Sequence, residues 1–146
     1  MKRSIFILVE LVLLAVLCSS CTGLPGQTKA VATRIVPDRG QGGVTGQIEQ
    51  AAKLWPEQPV MVYAATFQGD ESSGGVYVLE PSLFPQTTVA EDGSFQLNNL
   101  APGQYVFVAG PTAEDARAVI DAKQKARVIE VKANQVLELG KLELAP

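Results

Sequence analysis

The chain has 146 residues, 47% of them hydrophobic, with 12 basic and 15 acidic side chains and a net charge of −3. It contains no histidine and only two cysteines, which excludes a Ser-His-Asp or Cys-His catalytic site and a zinc site of the usual His/Cys kind. A mildly acidic chain without a clustered basic patch does not track a phosphate backbone, so nucleic acid is not an expected partner. No GxxxxGKS/T or GxGxxG string is present to cradle a phosphate, and no cofactor or metal is expected.

The first element is a leader. Lys2 and Arg3 precede the apolar stretch Ser4–Leu17, which Glu10 alone interrupts. Fourteen residues of helix rise about 21 Å, short of the roughly 30 Å hydrocarbon core of a bilayer. That length suits a signal sequence better than a permanent span. Leu17-Cys18-Ser19-Ser20-Cys21 follows, with small residues ahead of Cys21. The alternatives are a secretory signal cut by the ordinary peptidase and an uncleaved anchor. Glu10 opposes the anchor, because a carboxylate in mid-bilayer costs on the order of 3 kcal/mol.

These residues resemble the lipobox of bacterial lipoproteins over about the first 22 residues. Ser19, Ser20 and Cys21 match the pattern, and Cys18 departs from it by occupying the usual aliphatic position. The resemblance implies cleavage before Cys21, a diacylglycerol thioether on its sulfur and an acylated new amino terminus. Two or three acyl chains anchor stably where one binds only marginally. Thr22 is not the aspartate that marks inner-membrane retention in many diderm bacteria. The implied home is the cell envelope: the outer membrane in a diderm host, otherwise the outer face of the cytoplasmic membrane. Loss of Lys2, Arg3 and Glu10 with the leader takes the charged residues from 12 and 15 to 10 and 14, net −4. Cys18 leaves as well, so Cys21 is the mature chain's one cysteine and no internal disulfide can form.

Residues 21–43 read as a flexible tether, with five Gly and two Pro between Thr22 and Gly43. At about 5–6 Å × √n, such a segment holds a domain roughly 25 Å from the bilayer on average. Ala30–Val36 has some β character and offers an alternative edge strand. From Val44 the hydrophobic period is two, and residues 44–146 read as one domain. Val44–Glu49 is a strand, and Gln50–Gln58 a polar loop holding Trp55. Pro59–Phe67 is apolar nearly throughout, as a strand covered on both sides would be. Gln68–Gly75 reads as a loop, Val76–Leu79 as a strand and Glu80–Gln86 as irregular chain around Phe84. Thr87–Ala90 and Ser94–Leu97 flank Asp92-Gly93, a strong hairpin signal because Gly supplies the positive φ of a tight turn. Pro102-Gly103 suits the centre of a type II turn before the strand Gln104–Ala109.

Ala113–Lys125 reads as a short helix. Thr112 and Asp115 have capping-box spacing, acids lie in the first turn and lysines in the last. Arg127–Val131 and Gln135–Leu144 are the final strands. Leu137 and Leu139 are out of phase with Leu142 and Leu144, and a bulge at Gly140 would restore a common inward face.

The run Asp92-Gly93-Ser94-Phe95-Gln96-Leu97 to Leu100-Ala101-Pro102-Gly103-Gln104-Tyr105 resembles the hallmark of carboxypeptidase regulatory-like domains. Val44-Thr45-Gly46-Gln47-Ile48 resembles that family's first strand. The resemblance covers roughly residues 43–144. It implies an all-β fold, a seven-stranded antiparallel Greek-key sandwich of transthyretin-like type, with the helix as an insertion. In it Asp92, Gly93, Pro102 and Gly103 make turns, while Phe95, Leu97, Leu100 and Tyr105 fill the core. It implies an accessory, adhesive or stalk module rather than an enzyme.

Three functions are weighed on these residues. The first is a non-catalytic envelope module that binds or scaffolds a surface protein or polysaccharide. The second is a carbohydrate-binding module using Trp55 and Phe84 as an aromatic platform, against their packing as loop anchors. The third is a hydrolase using Asp70 with Glu71, or Glu91 with Asp92, against their being solvated turn residues. The same acids match no calcium-loop spacing.

Overall fold

The computed structural model describes residues 35–70, 74–80, 82–83 and 85–146, all within the folded unit Arg34–Pro146. The described residues form ten strands and one helical turn. They are β1 (Gly42–Gln47), α1 (Ala51–Leu54), β2 (Met61–Asp70), β3 (Gly74–Val78), β4 (Gln86–Thr88) and β5 (Ser94–Leu100), then β6 (Gly103–Gly110), β7 (Arg117–Ile120), β8 (Val128–Val131), β9 (Val136–Lys141) and β10 (Glu143–Leu144).

The strands make two sheets. The smaller has the order β5-β1-β9 and the larger β10-β7-β6-β2-β3. β4 lies beside β3 along the same edge of β2, since β2 pairs β4 through Met61–Tyr63 and β3 through Thr66–Asp70. β7 and β8 likewise share one edge of β6. Every pair is antiparallel except β1 with β9, which is parallel. The expectation of antiparallel pairing throughout is corrected here. β9 returns to the smaller sheet only after the long excursion through the larger one, and a long crossover permits a parallel partner.

One core fills the space between the sheets. β1 and β5 contribute Val44, Phe95, Leu97 and Leu100; β2 and β6 contribute Val62, Ala64, Tyr105, Phe107 and Ala109. These residues alternate along their strands, as a half-buried strand requires, except that an irregularity at left-handed Asn99 brings Leu100 inward after Leu97. The larger sheet also buries its other face. Tyr63, Val106 and Val108 form a second cluster, closed by Met61, Phe67, Leu79, Ala113, Ala116, Ala118 and Val128. β2 is therefore apolar on both sides, as its nearly unbroken hydrophobic sequence predicts. The smaller sheet turns Thr45, Gln47, Ser94 and Gln96 outward.

The expected helix over Ala113–Lys125 is corrected. Thr112 does engage Asp115, its Oγ1 accepting the Asp115 N–H at 3.2 Å. The turn stops there, and Arg117–Ile120 is β7 instead. Asp121 supplies one reason: its Oδ1 accepts the N–H groups of Lys123 at 2.7 Å and Lys125 at 3.0 Å, a local turn that competes with helix. Gln124 is left-handed at φ 62°. Tertiary pairing supplies the other. β7 joins β6 to β10 and buries Val119, whereas an isolated helix of this length is marginal in water. The one helix among the described residues is α1, a single turn inside the loop expected at Gln50–Gln58.

Two further differences concern boundaries. The folded unit starts before residue 43, since Gly42 and Gly43 belong to β1 and Asp38–Gln41 is a turn bonded to the body. The loop expected at Gln68–Gly75 is largely hairpin, with Gln68 opposite Val76 and Asp70 opposite Gly74. The bulge expected at Gly140 is present: Gly140 has φ 67°, and the stretch of β9 from Glu138 to Lys141 is one residue longer than the stretch of β1 from Thr45 to Gln47 that it pairs with. Leu139, Leu142 and Leu144 consequently all face the core, while Leu137 stays exposed.

The doubly covered sheet makes a testable contrast. Val106 is fully buried on the outer side of β6, so Val106→Asp should lower the unfolding free energy by about 3 kcal/mol or more. Gln96→Lys, on the solvated face of the smaller sheet, should stay within about 0.5 kcal/mol. Urea denaturation measures both.

Candidate functional site

The hallmark residues form one continuous structural device at both ends of β5. Ala90 to Ser94 is a tight turn: Gly93 N–H donates to Ala90 C=O at 2.9 Å and Ala90 N–H to Ser94 C=O at 2.8 Å. Gly93 has φ 81°, which L side chains rarely adopt. Its carbonyl also accepts the Ile48 N–H at 2.8 Å, and a Cβ on Gly93 would stand 2.9 Å from the Ile48 carbonyl oxygen. The turn is thus docked on the end of β1, helped by Gln47 Nε2 donating to the Asp92 carbonyl at 2.8 Å. Its flanking strands then part: β4 joins β2 in the larger sheet, β5 joins β1 in the smaller.

Asp92 holds this turn from inside. Its Oδ1 accepts the Ser94 hydroxyl at 2.6 Å and the Ser94 N–H at 2.9 Å. The Ser94 hydroxyl, then its N–H, hold the Asp92 carboxyl below the usual carboxylate range. A general acid needs the opposite shift.

At the far end of β5 the chain crosses between sheets through Ala101 and Pro102. The type II turn expected at Pro102-Gly103 is not formed. Gly103 opens β6 without a positive φ, and the left-handed residue of this corner is Asn99 at φ 58°. A chain that changes sheets does not fold back on itself, so the reversal that would need Gly103 is absent. Tyr105 stitches the corner, its hydroxyl donating to the Ala101 carbonyl at 2.8 Å. Burial pushes the Tyr105 phenol above its usual pKa. Phe95, Leu97 and Leu100 are buried in the shared core.

Asn99 has a second duty that the sequence reading missed. Its Oδ1 accepts the Asp38 N–H at 2.8 Å, and its Nδ2 donates to Asp38 Oδ2 at 2.9 Å. Asn134, also left-handed at φ 57°, accepts the Gly40 N–H at 2.8 Å and donates its own N–H to the Gln41 carbonyl at 2.7 Å. Two asparagines, one near the end of β5 and one in the loop before β9, clamp the strap Asp38–Gln41 where it enters the body. Asparagine tolerates the left-handed region better than most residues, a cue the sequence carries only weakly.

Of the aromatic pair, Trp55 is half-buried and packs on the main core. The Arg117 guanidinium carbon lies 5.8 Å from its ring centroid. One face of the indole therefore meets a cation of the protein itself. Cys21, Phe84 and Glu71 lie outside the described residues. Asp70, Glu91 and Asp92 are exposed, Asp70 at the end of β2 and the others in the Asp-Gly turn. Among the described residues no three His, Cys, Asp or Glu side chains converge as a metal site would require.

The two hallmark glycines should behave differently. Gly93→Ala should cost about 1–3 kcal/mol, from φ and the Ile48 carbonyl together. Gly103→Ala should stay within about 0.5 kcal/mol, since a Cβ there meets only the Tyr105 ring at 3.7 Å. The Asp92 contribution is present above the ordinary carboxylate pKa of about 3.9 and fades as pH falls through the lower folded value. Denaturation from about pH 5 to about pH 2 should therefore show a shallower loss of stability for Asp92→Asn than for the parent chain.

Compared with known families and curated proteins, the chain matches no family model and no curated protein.

Proposed function

We propose that this is a lipid-anchored cell-envelope protein whose β domain serves as a non-catalytic binding or scaffolding module. The observation that carries the reading is the leader: Lys2-Arg3, an apolar run of signal length, then Leu17-Cys18-Ser19-Ser20-Cys21. Cys21 would be the mature chain's one cysteine, free of any structural bridge. The anchor is placed in the outer membrane of a diderm host, otherwise on the outer face of the cytoplasmic membrane.

We also infer a transthyretin-like sandwich of the carboxypeptidase regulatory-like kind. β3 with β4 and β7 with β8 each fill one position of the larger sheet, and β9 continues across into that sheet as β10, so seven chain segments make the two sheets. The hallmark residues Asp92, Gly93, Phe95, Leu97, Leu100 and Tyr105 are all engaged in turns or core, as scaffold residues are. A partner protein or polysaccharide at the envelope fits such a module.

Mass spectrometry of the mature protein from its native membrane tests the anchor. The expected result is an amino-terminal peptide starting at Cys21 and carrying diacylglycerol with a further acyl group. An unmodified peptide starting elsewhere rejects the lipoprotein reading.

A further inference from the structure

Among the pairings of the described residues, the parallel one joins the first strand of the folded unit to the penultimate one. Both strands run from the end of the body that holds Asn99 and Asn134 toward the end that holds Asp92 and Trp55. The chain enters β1 at Gly42, beside the asparagine clamp. It leaves through β10 at the opposite end, where Ala145 N–H donates to Ala118 C=O at 2.9 Å and the Ala145 carbonyl accepts Arg117 Nη1 at 3.4 Å. The two ends of the folded unit therefore point in opposite directions along neighbouring, equally directed strands.

We propose that the folded unit is mechanically resistant along one axis, because a pull between its two ends loads the β1–β9 ladder in shear. Such a pull drags β1 one way and β9 with β10 the other, along their common axis. The ladder hydrogen bonds lie across that axis, so they share the load and must fail together. A pull that opened the strands from one end would break them in succession.

Three details reinforce the ladder against sliding. Gly43 N–H to Gln135 C=O at one end and Leu142 N–H to Gln47 C=O at the other, both 2.8 Å, bracket it, with the Lys141–Glu49 ion pair just beyond. The extra β9 residue at the Gly140 bulge fits one place in the register, so a slip disrupts the pairing on both sides. Val44, Leu139, Leu142 and Leu144 are buried, so sliding pulls side chains out of the core. β1 is also flanked by β5, and its extraction shears that ladder too. The Asp38–Asn99 and Gly40–Asn134 bonds stand ahead of the ladder in series and release first. The inference depends on strand direction alone and stands whatever Cys21 carries.

Single-molecule pulling of the full chain, with Cys18→Ser and Cys21→Ser throughout, tests it. One arrangement holds the chain by its amino and carboxy ends. The other holds it by Ala52→Cys and the carboxy end, two points at the same end of the body, so that the same ladder unzips. Ala52 is exposed in α1, and exposed Gln58→Cys in the same loop is a second attachment point. At equal loading rate, the end-to-end arrangement should need about twofold or more the force of the unzipping one, with both chains equally stable in denaturant. Equal or lower end-to-end force overturns the proposal.

Discussion

The β2–β6 ladder is the constraint on which the remaining structure depends. Its register runs from Met61 opposite Gly110 to Thr66 opposite Tyr105. One side of this pair faces the main core through Val62, Ala64, Phe107 and Ala109; the other faces the second cluster through Tyr63, Val106 and Val108. Backbone groups in so dry a place must be paired, and the ladder pairs them. β3, β4, β7 and β8 attach to its flanks, β10 follows on β7, and the smaller sheet covers one side. The chain from Pro111 to Ala116 covers the other, through Ala113 and Ala116. This stretch closes part of a face that β2 and β6 leave apolar.

Much of this was legible in the sequence because period-two patterning reports half-buried strands directly. Val44, Phe95, Leu97, Tyr105 and Phe107 all face inward where alternation places them. The bulge at Gly140 followed from a phase conflict between leucine pairs, and the structure resolves it with one left-handed glycine. The failures share a cause. Helix signals around Thr112 and Asp115 are real locally, but Asp121 and pairing with β6 and β10 outweigh them. Pro102-Gly103 carries turn chemistry, yet the corner joins two sheets and takes its left-handed residue from Asn99. Long-range partners decide both cases, and a local window does not contain them.

The residues singled out for function divide by what the fold does with them. Asp92, Gly93 and Tyr105 each satisfy backbone or neighbouring groups. Trp55 joins the core and meets Arg117, which links the loop after β1 to β7 and to the carbonyl of Ala145. These side chains serve the geometry of the fold. Asn99 and Asn134 belong to the same pattern, one at the end of β5 and one in the turn before β9, both fixing where the chain enters.

β3 stands apart from that economy. Gly74–Val78 is exposed along its whole length, with Val76 63%, Tyr77 44% and Val78 42% accessible, and among the described residues β2 alone pairs with it. It carries no lysine, proline or bulge of the kind that blunts a free sheet edge. Among the described residues this short uncharged ribbon is paired on one side, and an edge of that kind is a template for another extended chain.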